Sequence, residues 1–329
     1  MKNTTKILAL VASSLMVFSL ASCGGKKNNA SQGHKKVTIN FPTAGASGAL
    51  YAVGAAITNV WDTQIDFVSA SSQASNGGID NLNQIADGES QVSIAISSNC
   101  YQSFNGTDSF EGRANKNLRV IAGLYFNPNQ VVATTKSGIK EITDIKGKHF
   151  AVAAAGSSVE GECKNHFEAA DINYPSDIKA EYIAFGDAAD MLQNGTIDGA
   201  WIMSGAPAAA VSQACSSGCQ LVNISDSVIE KLQQKFPWYA KFTIPAGTYP
   251  GQDKDIQTSA IKMVMFTSTN LDEETVYNLT KTLWENIEEL GQAQKNLKGL
   301  TPEKAVVDIA GLPLHDGAAK YYKEIGIIQ

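Results

Sequence analysis

Cys163 and His166 stand three residues apart in VEGECKNHF, at the start of a segment predicted to be helical. That spacing sets a thiol and an imidazole on one helix face, and a helix N-terminus lowers a thiol pKa, so the pair has the layout of an activated nucleophile. Pairing of Cys163 with Cys100 would leave no free thiolate. Just upstream, Gly156-Ser157-Ser158-Val159 continues with Glu160 where the hydrolase elbow G-x-S-x-G requires glycine, so that signal fails. His34, His149, His166 and His315 lie apart with no metal-ligand spacing, and His315 is expected to pack or hydrogen-bond. CSSGC at 215–219 is a turn tight enough to close on itself as a Cys215–Cys219 disulfide, the alternative being two free thiols.

A different chemistry recurs four times. VTINF is followed by PTAGASGALYAVGAAI, QIDFV by SASSQASNGGIDNLNQI, HFAVAA by AGSSVEGECKNHFEAA, and GAWIM by SGAPAAAVSQA. Each places unpaired backbone N–H groups and small hydroxyls where a helix begins, a setting that favours carboxylate or phosphate without a charged side chain. Ligands of open α/β sheets sit at the carboxyl ends of strands, where these loops fall. With two such loops in each half of the chain, the pattern predicts two lobes closing on a small anionic or zwitterionic molecule. A single one of them would be only a tight strand-to-helix turn.

The elements that must position these loops alternate in type. Strand-like runs at 37–41, 64–70, 92–96, 119–125, 130–134, 149–154, 181–185, 199–203 and 261–267 are interleaved with helix-like ones, which predicts an α/β protein with helices covering mainly parallel sheets. Near the C-terminus Val276, Leu279, Leu283, Ile287 and Leu290 keep helical spacing, with Asp272 as the expected N-cap and Gly291 just past the end. The chain has 329 residues, 43% of them hydrophobic, more than one core usually needs. A net charge of -6, two arginines (Arg113 and Arg119) and no basic cluster beyond residue 36 argue against a nucleic-acid binder.

At the N-terminus, Lys2 and Lys6 precede a fifteen-residue apolar run, Ile7 to Ala21, too short to cross a bilayer and typical of a secretory signal. Leu20-Ala21-Ser22-Cys23 resembles the bacterial lipobox, which implies cleavage before Cys23 and diacylation of its thiol. Gly24 to Lys36 reads as a flexible tether.

The stretches FTIPAGTYPGQDKDIQT (242–258), LPLHDGAAKYYKE (312–324), SNGGIDNLNQIADGESQVSIA (75–95) and TDIKGKHFAVAAAGSS (143–158) resemble the TAXI family of solute receptors, the extracytoplasmic components of one class of tripartite ATP-independent (TRAP) transporters. The resemblance runs from about Val37 to Ile325 in the family's order. It implies a bilobed periplasmic-binding-protein fold, type II-like, with two α/β lobes joined by crossover strands: 1–22 signal peptide, 23–36 lipidated tether, 37–133 and 256–329 lobe 1, 134–255 lobe 2. The crossovers would fall near 130–135 and 261–267.

It further implies a non-enzymatic, monomeric protein without cofactor or metal. Such a protein would bind a small organic anion or amino acid (glutamate, glutamine or a related keto acid), and would be anchored by lipid to a bacterial membrane beside an ion-driven permease. Carried over residue by residue, the ligand would meet Ser47 and Tyr51, Ser75, Asn76 and Asn81, Asn99, Ser157 and Ser158, and Gly205 and Ala206. Backbone N–H groups would grip its carboxylate, Tyr51 would form a ring wall, and Trp201 would be either a second wall or core. Asn99 stands where the family commonly has aspartate and Gly78 where it has serine; Glu160 would restore the charge lost at Asn99 for a ligand ammonium. A tethered ligand sensor would share the same fold and pocket.

Overall fold

The structure, a computed structural model, describes residues 35–44 and 49–329. The expected signal segment, Cys23, most of the tether and Ser47 lie outside these residues. Along the described chain run β1 (Val37–Pro42), α1 (Ala49–Gln64), β2 (Val68–Gln73), α2 (Gly78–Ala86), β3 (Ser93–Ile96), α3 (Ser97–Asn105), β4 (Leu118–Thr134), β5 (His149–Ala151), α4 (Ser158–Ala169), β6 (Lys179–Glu181), α5 (Phe185–Gln193), β7 (Gly199–Met203), α6 (Ala209–Ser216), β8 (Cys219–Val222), α7 (Asp226–Lys235), β9 (Tyr239–Ile244), β10 (Ile256–Ser268), α8 (Glu273–Glu285), α9 (Ile287–Ala293), α10 (Pro302–Ala305) and α11 (Asp316–Glu324).

Two long strands organise the sheets. β4, of 17 residues, and β10, of 13, lie antiparallel, and each changes neighbours along its length. The first part of β10 pairs with β9 and the last part with β3. β4 pairs with β10 up to Pro128 and from Asn129 onward with β7, while Val131–Thr134 also pair with β8. β7 carries β5 and β6 beyond it in parallel, giving the order β3-β10-β4-β7-β5-β6. β1 and β2 form a separate parallel pair. It is tied on by the Asn40 N–H to Gln91 Oε1 at 2.9 Å and by Ser93 Oγ to the Pro42 carbonyl at 2.6 Å.

The α/β class holds, but the expectation of mainly parallel sheets does not. Every neighbour of β10 runs against it, and β4 opposes β7 and β8 as well. The runs at 119–125 and 130–134 are one strand. Pro128 sits at its change of partner, where a missing N–H disrupts the ladder least. β2 starts four residues later than its apolar run because α1 takes Gln64 and a turn, closed by the Val68 N–H to the Ile65 carbonyl at 2.9 Å, takes the next three.

The four cysteines of the described chain are free thiols, all buried, so the expected Cys215–Cys219 bond is not formed. Cys215 lies in the last turn of α6, Cys219 opens β8, and both pack into one apolar cluster with Val211 and Leu221. The turn between them closes through the backbone instead, with Gly218 at φ 88 donating its N–H to the Cys215 carbonyl at 3.1 Å. Burial pushes the Cys215 thiol up to about 11.

Candidate functional site

Asn81 sits where the ends of β1 and β3 meet. Wholly buried on α2, it donates from Nδ2 to the carbonyls of Thr43 at 2.8 Å and Ile94 at 2.9 Å, tying the ends of β1 and β3 together. Its Oδ1 is buried without a partner, as is the hydroxyl of Ser97 at the first position of α3. Such atoms cost free energy unless something satisfies them. Gly78 lies against Asn99: a Cβ there would be 3.3 Å from Asn99 Oδ1 and 3.1 Å from the Ala95 methyl, so little more than glycine fits. Ser75 donates its N–H to the Ala44 carbonyl at 3.1 Å and accepts from the Gly77 N–H, also at 3.1 Å. Asn76 is exposed and its N–H meets Asp80, whereas Tyr51 is half-buried in the first turn of α1.

The second half meets this cluster through α4. Ser157 is its N-cap, accepting from the Glu160 N–H at 3.2 Å, which leaves Ser158 Oγ to donate to Asn99 Oδ1 at 2.8 Å. One turn further, Glu162 Oε1 accepts from Ser98 Oγ at 3.0 Å while Oε2 accepts from the Tyr239 hydroxyl. Burial pushes the Glu162 carboxyl up to about 7, against the pull of those two hydrogen bonds. The N-terminal turns of α3 and α4 therefore touch through two side-chain pairs. Sequence reasoning missed Ser98 and Glu162. A carboxylate on a helix reads as a solvated face, and only its place one turn past the Gly-Ser loop marked it.

Other expected residues lie elsewhere. Glu160 is 5% exposed and fully engaged: it accepts from the Gly156 N–H at 2.6 Å and the Tyr174 hydroxyl at 2.9 Å, and pairs with Lys164 at 2.7 Å. Burial would raise its carboxyl, but these partners outweigh that and hold it below the usual range. Trp201 is core, not a wall. Its indole N–H goes to Asn129 Oδ1 at 3.2 Å and its ring packs on His166 and Phe167. Gly205 and Ala206 face a separate cavity of about 460 Å³. Their loop is held by Gln130, which donates to the Ser204 carbonyl at 2.9 Å and accepts from the Tyr249 hydroxyl at 2.5 Å. Tyr249, in the AGTYPG stretch, thus fastens β4 to that loop, and its oxygen also takes the Ala208 N–H at 2.9 Å.

Cys163 and His166 do not form a nucleophile. Both are completely buried, and desolvation raises the Cys163 thiol rather than lowering it, with Glu160 adding to the rise. His166 Nδ1 lies 2.6 Å from the Glu162 carbonyl, which can only accept, so Nδ1 carries the proton and Nε2 accepts from Ser259 Oγ at 2.5 Å. Asn129 Nδ2 in turn donates to Ser259 Oγ at 3.0 Å, and burial pushes the imidazole down to about 3. His315 caps α11, accepting from the Gly317 N–H at 3.1 Å and donating from Nε2 to the Leu271 carbonyl at 2.9 Å.

A sequence model of the NMT1-like family matches residues 41–326. Among solved structures the chain is similar to MatC from Rhodopseudomonas palustris with bound malate, at 14% identity over 88% of this chain and 96% of that one, with a TM-score of 0.52. It is also similar to a TctC solute binding protein from Polaromonas (13% identity, 79% and 88% covered, TM-score 0.49). A third similar structure is the periplasmic aliphatic sulphonate binding protein SsuA from Escherichia coli (13%, 80% and 79%, TM-score 0.47). At such identities the likeness to MatC shows a shared bilobed α/β fold.

Proposed function

The chain belongs to the NMT1-like family, and on that premise we propose that it is an extracytoplasmic solute-binding receptor of a TRAP-type transporter, not an enzyme. Its lobes are 37–133 with 256–329, and 134–255. The solute is a small carboxylate, glutamate, glutamine or a related amino or keto acid, held between the N-terminal turns of α3 and α4 and the loops after β1 and β2. The protein is held to a bacterial membrane through acylated Cys23 and passes the solute to an ion-driven permease.

The observation that carries this reading is the meeting of α3 and α4. Ser158 binds Asn99 and Ser98 binds Glu162, while Ser97 Oγ and Asn81 Oδ1 stay buried without partners beside them. Helix N-termini bring N–H groups to this place, and their dipoles favour a carboxylate there. Neither described arginine takes part: Arg113 binds Asn83 and Ser109, and Arg119 binds the Lys116 and Leu118 carbonyls. The grip is therefore amides and hydroxyls.

Calorimetric titration of the purified chain with glutamate, glutamine, malate and 2-oxoglutarate tests this. One of them is expected to bind in the micromolar range, and Asn99→Ala and Ser158→Ala each to weaken it about tenfold, the worth of one lost hydrogen bond of roughly 1 to 1.5 kcal/mol. No heat from any carboxylate, or wild-type affinity in both variants, would remove the reading.

A further inference from the structure

The cavity that takes in Gly205 and Ala206 has a character of its own. Its floor is aromatic: Tyr125 and Phe126 of β4 and Phe242 of β9, the two phenylalanine rings 6.0 Å apart and tilted by 50°. Into that floor β10 carries Lys262, 1% exposed, whose ammonium lies 5.1 Å from the Phe126 ring centroid. Lys262 donates to the carbonyls of Lys304 at 2.5 Å and Val307 at 2.8 Å, which uses two of its three N–H groups. No carboxylate lies within ion-pair distance of it among the described residues. Lys295, Lys298 and Lys304 stand on the rim, with Asp308 as the acidic lining residue. A chain of net charge -6 thus gathers four ammonium groups round one concave surface. Converging charges of one sign focus their field inside a cleft.

We propose that this cavity is a second ligand site, distinct from the place where α3 meets α4, and that it takes an organic carboxylate with a flat ring body. The rings of Tyr125, Phe126 and Phe242 receive the guest's ring face or edge, and Lys262 with the rim lysines receives its carboxylate. At about 460 Å³ the space falls within the range of small-molecule pockets. Gly205 packs directly against Asn296 in the lining, where a Cβ would lie 2.9 Å from Asn296 Oδ1. Gly205, Ala206 and Phe242 come from 134–255, and Lys262 and the 295–308 segment from the other side of the chain, so a guest touches both.

Titration of the full chain with benzoate, and with benzamide as its uncharged counterpart, followed by calorimetry or ligand-observed NMR, tests the assignment. Benzoate is expected to bind at least tenfold more tightly than benzamide. Lys262→Met and the exposed Lys298→Glu should each weaken benzoate about tenfold, and Asn99→Ala should leave it unchanged. Lys262 also ties down the 304–307 backbone, so the rim variant keeps the test decisive should Lys262→Met fail to fold. Equal binding of benzoate and benzamide, no binding of either, or full affinity in Lys298→Glu overturns the proposal. Loss of benzoate in Asn99→Ala overturns it too, by moving the guest to the α3–α4 site. A chain that binds benzoate but none of the small carboxylates tested above loses the receptor reading and keeps this one.

Discussion

Glu162 and His166 lie one turn apart on α4 and titrate in opposite senses, because burial penalises the charged form of each. The Glu162 carboxyl rises from 4.5 in the unfolded chain to about 7, so its contribution to stability is complete below 4.5 and is lost as pH climbs through 7. The His166 imidazole falls from 6.5 to about 3, so its contribution is complete above 6.5 and is lost as pH drops through 3. Between pH 4.5 and 6.5 the two slopes oppose each other, and a wild-type melting curve alone would hide both. Single variants separate them. Relative to wild type, Glu162→Gln should gain stability as pH rises from 4.5 to 7, on the order of 3 kcal/mol across the window. His166→Gln should lose ground to wild type as pH rises from 3 to 6.5. Thermal melts from pH 4 to pH 8 read both, and difference curves flat in pH would show that neither group titrates as its burial requires.

Helix packing sets the tolerance of particular glycines. α11 crosses α8 so closely at Gly317 that a Cβ there would lie 2.2 Å from the Glu273 carbonyl oxygen and 2.6 Å from the Tyr277 nitrogen, both backbone atoms that cannot swing aside. Gly317→Ala should cost about 1 to 3 kcal/mol or more, as overpacking does. Gly186, in the first turn of α5 with nothing near its missing Cβ, is the control. Gly186→Ala should stabilise by up to roughly 0.5 kcal/mol, the low end of the mid-helix preference for alanine. Urea midpoints check the pair, and equal shifts would refute the packing argument.

The same contacts explain what could be read from sequence at this scale. The stripe from Val276 to Leu290 and the Asp272 cap were legible: Asp272 Oδ1 accepts from the Thr275 N–H at 2.8 Å. The break at Asn286 was not, because apolar spacing runs straight through it. Gly291 reads as a helix end but lies inside α9, where its missing Cβ admits the Lys298 backbone at 2.9 Å. β7 was legible to the residue, while β9 was missed because its exposed edge alternates with Lys241 and Thr243. The strand-to-helix loops could be found from their small residues. Which of their hydroxyls would meet across the chain could not, since that depends on long-range packing.

Two hydrogen bonds join α3 to α4, and one aromatic contact backs them, Tyr101 of α3 against Trp238 at 5.3 Å between centroids. If 37–133 with 256–329 and 134–255 move as lobes about β4 and β10, these bonds favour the closed arrangement before any solute arrives. At about 1 kcal/mol each they shift the closed population roughly thirtyfold, well short of the ~5.5 kcal/mol that turns 1:99 into 99:1. A solute must supply the rest, so the free protein should populate both arrangements. The double variant Ser98→Ala/Ser158→Ala should then be more open, with a larger radius of gyration by small-angle X-ray scattering than wild type. Saturating solute should bring it back toward the wild-type bound value, at an apparent affinity reduced by the fraction of closed molecules lost. Indistinguishable scattering of the two free proteins, with circular dichroism showing both folded, would mean that the α3–α4 contact is a fixed seam and not a closing one.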